Sequence, residues 1–321
     1  MTQDKSILLI GLGAIGSVLY RRLDLKNYKV VCLTSVESSK LIRKKGLRVK
    51  LTTDETIKLH ECEVYNELPD NYIFDNCIIA TKSWINKSLS YDLNKHLNET
   101  ASILLFQNGI NIEDDFLRTN SNWKIVRAIT SLAAFRKQKN EAYEASIGET
   151  KIGLVNLNGK DVVEEWKRIL TNIGLNVKIS ENIQRDIWLK ATVNCTIGPL
   201  AAITELKNGE ILKDAFLNRI VISIIKEMIT VIPLELSISL ADSLKLIDQI
   251  TEQTSNHKAS MLQDIEKNKK TEINELNGQI IKIAERKDIE VPINKKIVEL
   301  VKQIAERRVP KEQIILELKS L

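Results

Sequence analysis

The segment SILLIGLGAIGSVLY, residues 6–20, narrows the choice of fold more than any other part of the chain. A short apolar run leads into Gly11, Gly13 and Gly16, and the helix-patterned IGSVLYRRLDL overlaps its end. The spacing is G-x-G-x-x-G, with a strand before it and a helix after it. In that setting the first glycine allows a tight turn and the second lets the main chain approach a pyrophosphate. The third lets helix and strand pack closely, and the helix N-terminus presents free N–H groups to an anion. Gly11, Leu12, Gly13, Ala14, Ile15 and Gly16 are therefore candidate cofactor-binding residues. A structural turn is the plainer alternative, and the stretch alone does not separate the two.

The rest of the first half keeps the same alternation. KVVCLTS, NCIIATK at 76–82 and SILLFQNG at 102–109 read as buried parallel strands, and ESSKLIRKKG as a helix stopped by its glycine. Strands alternating with helices imply βαβ units and a doubly wound parallel sheet. Residues 123–155 read as further strands and a hairpin, after which KDVVEEWKRILTNIG and NVKIS supply one more helix and strand. Beyond Ser180 strand signals nearly vanish, and apolar residues recur at helical spacing through five long segments. The expected organisation is an α/β protein, with a Rossmann-type dinucleotide-binding domain over 1–180 and an all-α substrate domain over 181–321. No low-complexity linker separates them, so they should abut, and such a junction is a natural place for a ligand cleft.

Composition excludes several other classes. Net charge is +5 over 321 residues, with acids and bases interleaved, unlike the concentrated basic patch of a nucleic-acid binder. A mild positive balance favours small anionic ligands. No apolar stretch approaches bilayer length, and the polar start MTQDKS gives no signal peptide, so a cytoplasmic protein is expected. Cys32, Cys62, Cys77 and Cys195 show no CxxC spacing and read as reduced thiols. His60, His96 and His257 lie far apart, and no metal site is expected.

Strand ends at the carboxyl edge of such a sheet face the ligand crevice. The second strand ends in Thr34 and Ser35, where an NAD site typically has a carboxylate on the ribose hydroxyls. Its absence, with Lys40 and Arg43 nearby, favours a 2′-phosphate and hence NADP; the alternative is that both cations decorate an exposed helix. Lys82 follows one strand, and Gln107, Asn108 and Gly109 follow another. In the helical half, WLKATVN sets Lys190 and Asn194 at i and i+4 on one helix face. Ser260 and Glu272 stand in SMLQDIEKNKKTEINELNG, where Thr271 could cap a helix starting at Glu272. Taken singly, each has a bland reading as a surface lysine, a turn asparagine or a helix-start carboxylate.

Together these stretches resemble the ketopantoate reductases (2-dehydropantoate 2-reductases). The matching segments are GLGAIGS, ATKSW, LLFQNG, WLKATVNCTIGPLAAI and SMLQDIEKNKKTEINELNG, in the family's order across nearly the whole chain. The resemblance implies reduction of a 2-keto acid by NADPH at a site between a Rossmann domain and a helical domain. It implies that Lys190 is the catalytic lysine and Glu272 the catalytic carboxylate, which also borders the cofactor. Ser260, Asn194 and Asn108 would contact substrate, with Lys82 and Asn108 near the nicotinamide. Two positions depart from the family pattern. Thr34 replaces the arginine that holds the 2′-phosphate, which opens the site to NADH. Gly198 replaces the second asparagine of N-x-x-x-N-P, and a lost hydrogen bond of that kind costs on the order of 1 kcal/mol.

The expected activity is NAD(P)H-dependent reduction of 2-dehydropantoate to pantoate, in pantothenate biosynthesis. The alternatives are a related reductase of another small 2-keto acid, with Gly198 widening the pocket, and a non-catalytic dinucleotide sensor or scaffold. A sensor has no need of a proton donor, and Lys190, Asn194, Ser260 and Glu272 together argue against it. Apolar surface on the helical half leaves room for a homodimer.

Overall fold

The computed structural model describes residues 6–156, 159–307 and 309–320; the polar start of the chain, residues 1–5, lies outside them. The chain divides into two compact units. One takes residues up to Gln107 together with Ile112–Ile183, and the other takes Asn108–Asn111 and everything from Gln184 onward.

The first unit runs β1 (Ile7–Ile10), α1 (Ala14–Asp24), β2 (Val30–Leu33), α2 (Val36–Lys45), β3 (Leu47–Lys50), β4 (Lys58–His60), β5 (Glu63–Tyr65) and β6 (Phe74–Ile79). It continues with α3 (Asn86–Leu93), β7 (Leu97–Leu105), α4 (Asp114–Thr119), β8 (Lys124–Thr130), β9 (Ala133–Gln138) and β10 (Glu141–Ser146). Last come β11 (Glu149–Leu154), α5 (Lys160–Asn172) and β12 (Asn176–Ile179). Eight strands form one sheet in the order β12-β11-β8-β7-β6-β1-β2-β5. Every pair in it is parallel except β8 with β11. β1 shows why its sequence is a continuous apolar run. Ile7 and Leu9 pack among Val18, Leu19 and Trp166 on one face, while Leu8 and Ile10 pack among Leu89, Leu93 and Phe116 on the other.

The hairpin expected within 123–155 is β9–β10, and it belongs to a separate four-stranded sheet, β4-β3-β10-β9. This small sheet is fastened to α1 by a buried ion pair. Arg22 reaches Glu144 through Nε at 2.7 Å and Nη2 at 2.8 Å, and the Thr52 N–H and hydroxyl also donate to that carboxylate. Bidentate geometry with further donors on the carboxylate is what makes a buried pair tolerable.

The second unit is helical: α6 (Ile183–Thr204), α7 (Asn208–Lys213), α8 (Ala215–Val231), α9 (Leu240–Gln253), α10 (Ser260–Glu266), α11 (Asn277–Arg286), α12 (Pro292–Glu306) and α13 (Lys311–Lys319). α6 is apolar nearly all round because other helices surround it; Cys195, Leu200 and Ile203 are fully buried among Val221, Ile224 and Leu262. No described helix is long and apolar enough to cross a membrane.

Candidate active site

In the first unit the glycine loop joins β1 to α1. Gly11 has φ +94°, and its N–H donates to the Leu33 carbonyl at 2.8 Å, locking the loop to the end of β2. A Cβ on Gly16 would stand 1.8 Å from the Gly11 carbonyl oxygen, so no other residue fits that crossing. Gly13 is different. A Cβ there would meet only the Ala80 carbonyl oxygen, at 3.8 Å. Gly13 is also the N-cap of α1 and brings no side-chain cap, so the first N–H groups of the helix are left for another acceptor. Two glycines thus serve the turn and one leaves open space over a helix N-terminus, which fits a dinucleotide pyrophosphate. Ala14 and Ile15, half-buried, form the first turn of α1, and Leu12 is fully buried.

The Leu12 carbonyl accepts from the Ser17 hydroxyl at 3.3 Å and from Arg136 Nη1 at 3.0 Å. Nothing in the sequence pointed to Arg136; it arrives from β9, in the other sheet. At the end of β2 the Thr34 N–H donates to the Tyr65 carbonyl, and the Ser35 hydroxyl caps α2 by accepting from the Ser38 N–H. Of the two cations downstream, Arg43 donates to Asn66 Oδ1 at 2.9 Å, and Lys40 stands exposed. Glu37, in the first turn of α2, pairs with Lys139 from the β9–β10 turn.

The loops after β6 and β7 are braced from below. Gln107 Nε2 donates to the Thr81 hydroxyl at 3.0 Å and to Asn86 Oδ1 at 2.8 Å, and Asn86 donates back to Gln107 Oε1. Arg127, 1% exposed, pairs with buried Glu113 and reaches the Gln107 carbonyl at 3.5 Å. This network fixes the segment that carries Lys82, a half-buried residue whose ammonium lies 5.9 Å from the Trp84 ring centroid.

In the second unit Lys190 and Asn194 are half-buried and one turn apart on α6. Burial pushes the Lys190 ammonium below its ordinary pKa, and among the described residues it makes no ion pair or side-chain hydrogen bond. Glu272 therefore does not hold the Lys190 ammonium here. Gly198 follows one turn beyond Asn194, and a Cβ on it would lie 3.7 Å from Met261 Cβ, so this end of the stripe meets the start of α10. Ser260, exposed, is the first residue of that helix.

Glu272 is buried, 5% exposed, in a turn rather than at a helix start; α11 begins five residues later, at Asn277. Thr271 therefore caps no helix at Glu272, because the chain first turns through 272–276. The Asn108–Asn111 loop docks on that turn. The Ile110 N–H donates to the Glu275 carbonyl at 3.2 Å, and the Ile110 side chain joins the helical core. Asn108, exposed, is carried with it. Glu275 itself has its carboxyl raised by burial, with a further push from the Glu272 charge. The second unit thus holds Asn108, Lys190, Asn194, Ser260 and Glu272 on interlocked segments, and the first holds the glycine loop, Thr34, Ser35 and Lys82.

Comparison with known proteins gives these groupings a family. The ketopantoate reductase PanE/ApbA model matches residues 7–156 and its C-terminal counterpart residues 182–305. A 2-dehydropantoate 2-reductase of Pyrococcus horikoshii is 31% identical over 92% of this chain and 96% of its own length. One from Archaeoglobus fulgidus is 26% identical over 92% and 96%. Among solved structures, a PanE/ApbA family ketopantoate reductase from Ralstonia eutropha superposes with a TM-score of 0.83 at 22% identity, covering 94% of this chain and 99% of that one. D-mandelate dehydrogenase with NADH and anilino(oxo)acetate superposes at 0.86, also at 22% identity, over 94% and 98%. The chain belongs to the ketopantoate reductase family and is an oxidoreductase of the 2-dehydropantoate 2-reductase type.

Proposed function

We propose that this chain reduces 2-dehydropantoate to pantoate with NADPH in preference to NADH. Lys190 carries the reading: a desolvated ammonium, unpaired among the described residues, one helical turn from Asn194. When bound, the dinucleotide supplies the hydride. Lys190 stabilises the negative charge that grows on the keto oxygen and delivers the proton that completes the hydroxyl. Low local dielectric strengthens that interaction, and a lysine already displaced from its usual pKa gives up its proton more readily. Asn194, Ser260 and Asn108 hold the carboxylate and keto group in line. Glu272 accepts a hydrogen bond from a substrate hydroxyl, and Lys82 serves the nicotinamide side. Preference for NADPH rests on the end of β2, where Thr34 and Ser35 stand and where the nearest downstream carboxylate, Glu37, is paired with Lys139.

The test is consumption of reduced nicotinamide by purified protein given 2-dehydropantoate, repeated with Lys190→Ala. The variant should lose about 10²- to 10⁴-fold in kcat, the span a positioned proton donor supplies. Full activity in the variant would remove the lysine from the mechanism.

Gly198 favours a second reading, a reductase of another small 2-keto acid. A Cβ at this position would meet Met261 at ordinary contact distance, so the glycine is not demanded by packing at the Cβ. If 2-dehydropantoate is the substrate, Gly198→Asn should lower its KM. An unchanged KM, with a different 2-keto acid turned over faster in a panel, would favour the second reading.

A further inference from the structure

We infer that Arg136, carried on the β9–β10 hairpin, is a phosphate-binding residue of the dinucleotide site, with Lys139 as its neighbouring cation. The inference rests on the cofactor reading above and adds to it the element that recognises the phosphate.

The hairpin touches the two stretches that frame a dinucleotide in this fold. Arg136 Nη1 donates to the Leu12 carbonyl at 3.0 Å, inside the glycine loop, and to the Lys139 carbonyl at 3.3 Å, at the hairpin turn. The Lys139 side chain in turn pairs with Glu37 in the first turn of α2, two residues past Ser35. One guanidinium and one ammonium are thereby set between the N-terminal ends of α1 and α2, where the end of β2 brings only the hydroxyls of Thr34 and Ser35.

The placement is rigid. The hairpin belongs to the sheet fastened to α1 through Arg22 and Glu144, so its position relative to the glycine loop follows from a buried bidentate contact. The guanidinium also has capacity to spare. Its Nη1 serves both carbonyls, while Nε and Nη2 have no hydrogen-bond partner among the described residues. Burial lowers the pKa of Arg136 from its ordinary value, the mark of a cation that has lost water without gaining an anion. An arginine with a planar pair of N–H groups left over is suited to phosphate oxygens. A carbonyl brace alone needs no charge.

The experiment measures equilibrium binding of NADPH and of NADH to the full-length protein, by nicotinamide fluorescence, across a series of salt concentrations. The proteins compared are the unaltered chain, Arg136→Gln, Arg136→Lys and Lys139→Ala. Arg136→Gln should weaken NADPH binding roughly 10- to 100-fold and flatten its salt dependence, with Arg136→Lys recovering part of both. Equal losses for the two dinucleotides place the contact on the shared diphosphate; a loss confined to NADPH places it on the 2′-phosphate. Unchanged affinity in Arg136→Gln would overturn the inference. So would a weaker affinity with the original salt dependence, because the residue would then only brace the loop. If the unaltered protein binds neither dinucleotide, the cofactor reading itself falls, and that outcome is distinct from unaltered binding in the variant.

Discussion

Asn277 donates its side-chain amide to the main-chain carbonyl of Cys195 at 2.9 Å, and Cys195 is the residue whose carbonyl Pro199 cannot serve. The proline sits inside α6, four positions on, in the helix that carries Lys190 and Asn194. Asn277 also donates to Asn294 Oδ1, and Asn294 Nδ2 to Glu227. Glu227 in turn accepts the Ile293 and Asn294 N–H groups at the start of α12. A carbonyl that would be stranded in the core is thus satisfied by the first residue of α11, five positions after Glu272. The same contact holds the helix that carries Lys190 to the segment that follows the turn bearing Glu272.

Replacing Asn277 by Ala should cost roughly 1–3 kcal/mol, the range for leaving a buried acceptor unpaired, read as a lower urea midpoint. Pro199→Ala in that background returns an N–H to Cys195 from within the helix, so it should recover part of the loss. Strictly additive costs would mean that Asn277 does not serve that carbonyl.

Two glycines of the same motif should respond in opposite ways. Gly16→Ala forces a Cβ to within 1.8 Å of the Gly11 carbonyl oxygen and should destabilise the first unit severely. Gly13 has φ −72°, which alanine adopts freely, and open space where a Cβ would go. Gly13→Ala should therefore change stability by only about 1 kcal/mol, the scale of an N-cap change, while sharply weakening NADPH binding. A variant that binds the dinucleotide normally would show that the space over Gly13 is not where the pyrophosphate lies.

These contrasts mark what was readable in the chain beforehand. β1, the glycine loop and α1 announce themselves because a strand buried on both faces must be uniformly apolar and the crossing at Gly16 admits nothing else. The long helices follow from spacing. Short strands did not: β3, β4 and β5 have three or four residues each, too few to show a period. Arg136 was invisible because its role comes from two sheets meeting, and a half-buried arginine in a charged hairpin carries no local signal. Pro199 did carry one, since an interior proline always orphans a carbonyl, but the identity of the donor, 82 residues away, depends on tertiary packing. Glu272 stands out only through the family resemblance, and its place in a turn is hidden because turn and helix share the same apolar residues.

Arg127 and Glu113 offer a test of the bracing beneath the β6 and β7 loops. Both are almost wholly buried, and Arg127 also touches the Gln107 carbonyl. Glu113→Gln removes the charge that faces the guanidinium in the interior and should destabilise by about 3–5 kcal/mol, measured by denaturant unfolding. Replacing the pair together by Met and Gln should cost less than the sum of the single changes. Additive losses would mean that the two charges do not compensate each other.

Lys190 should show opposed effects on stability and rate. Its pKa is lowered in the folded state by burial, because folding takes the charged ammonium out of water. Below the folded pKa the group is charged in both states and that penalty is in full force. As pH rises from the folded pKa toward the unfolded value of 10.5, the folded lysine loses its proton first and the penalty is relieved. Lys190→Met should therefore raise stability at pH 7 by ~0.5–2 kcal/mol, and the variant should lack this alkaline gain. Turnover runs the other way. In the proposed reaction it uses the ammonium, so kcat should hold on the acid side and fall as pH rises through a value below that of an ordinary lysine, while the Met variant is nearly inactive throughout. A variant no more stable than the original, with the alkaline limb of kcat at the usual lysine position, would show that the ammonium is hydrated.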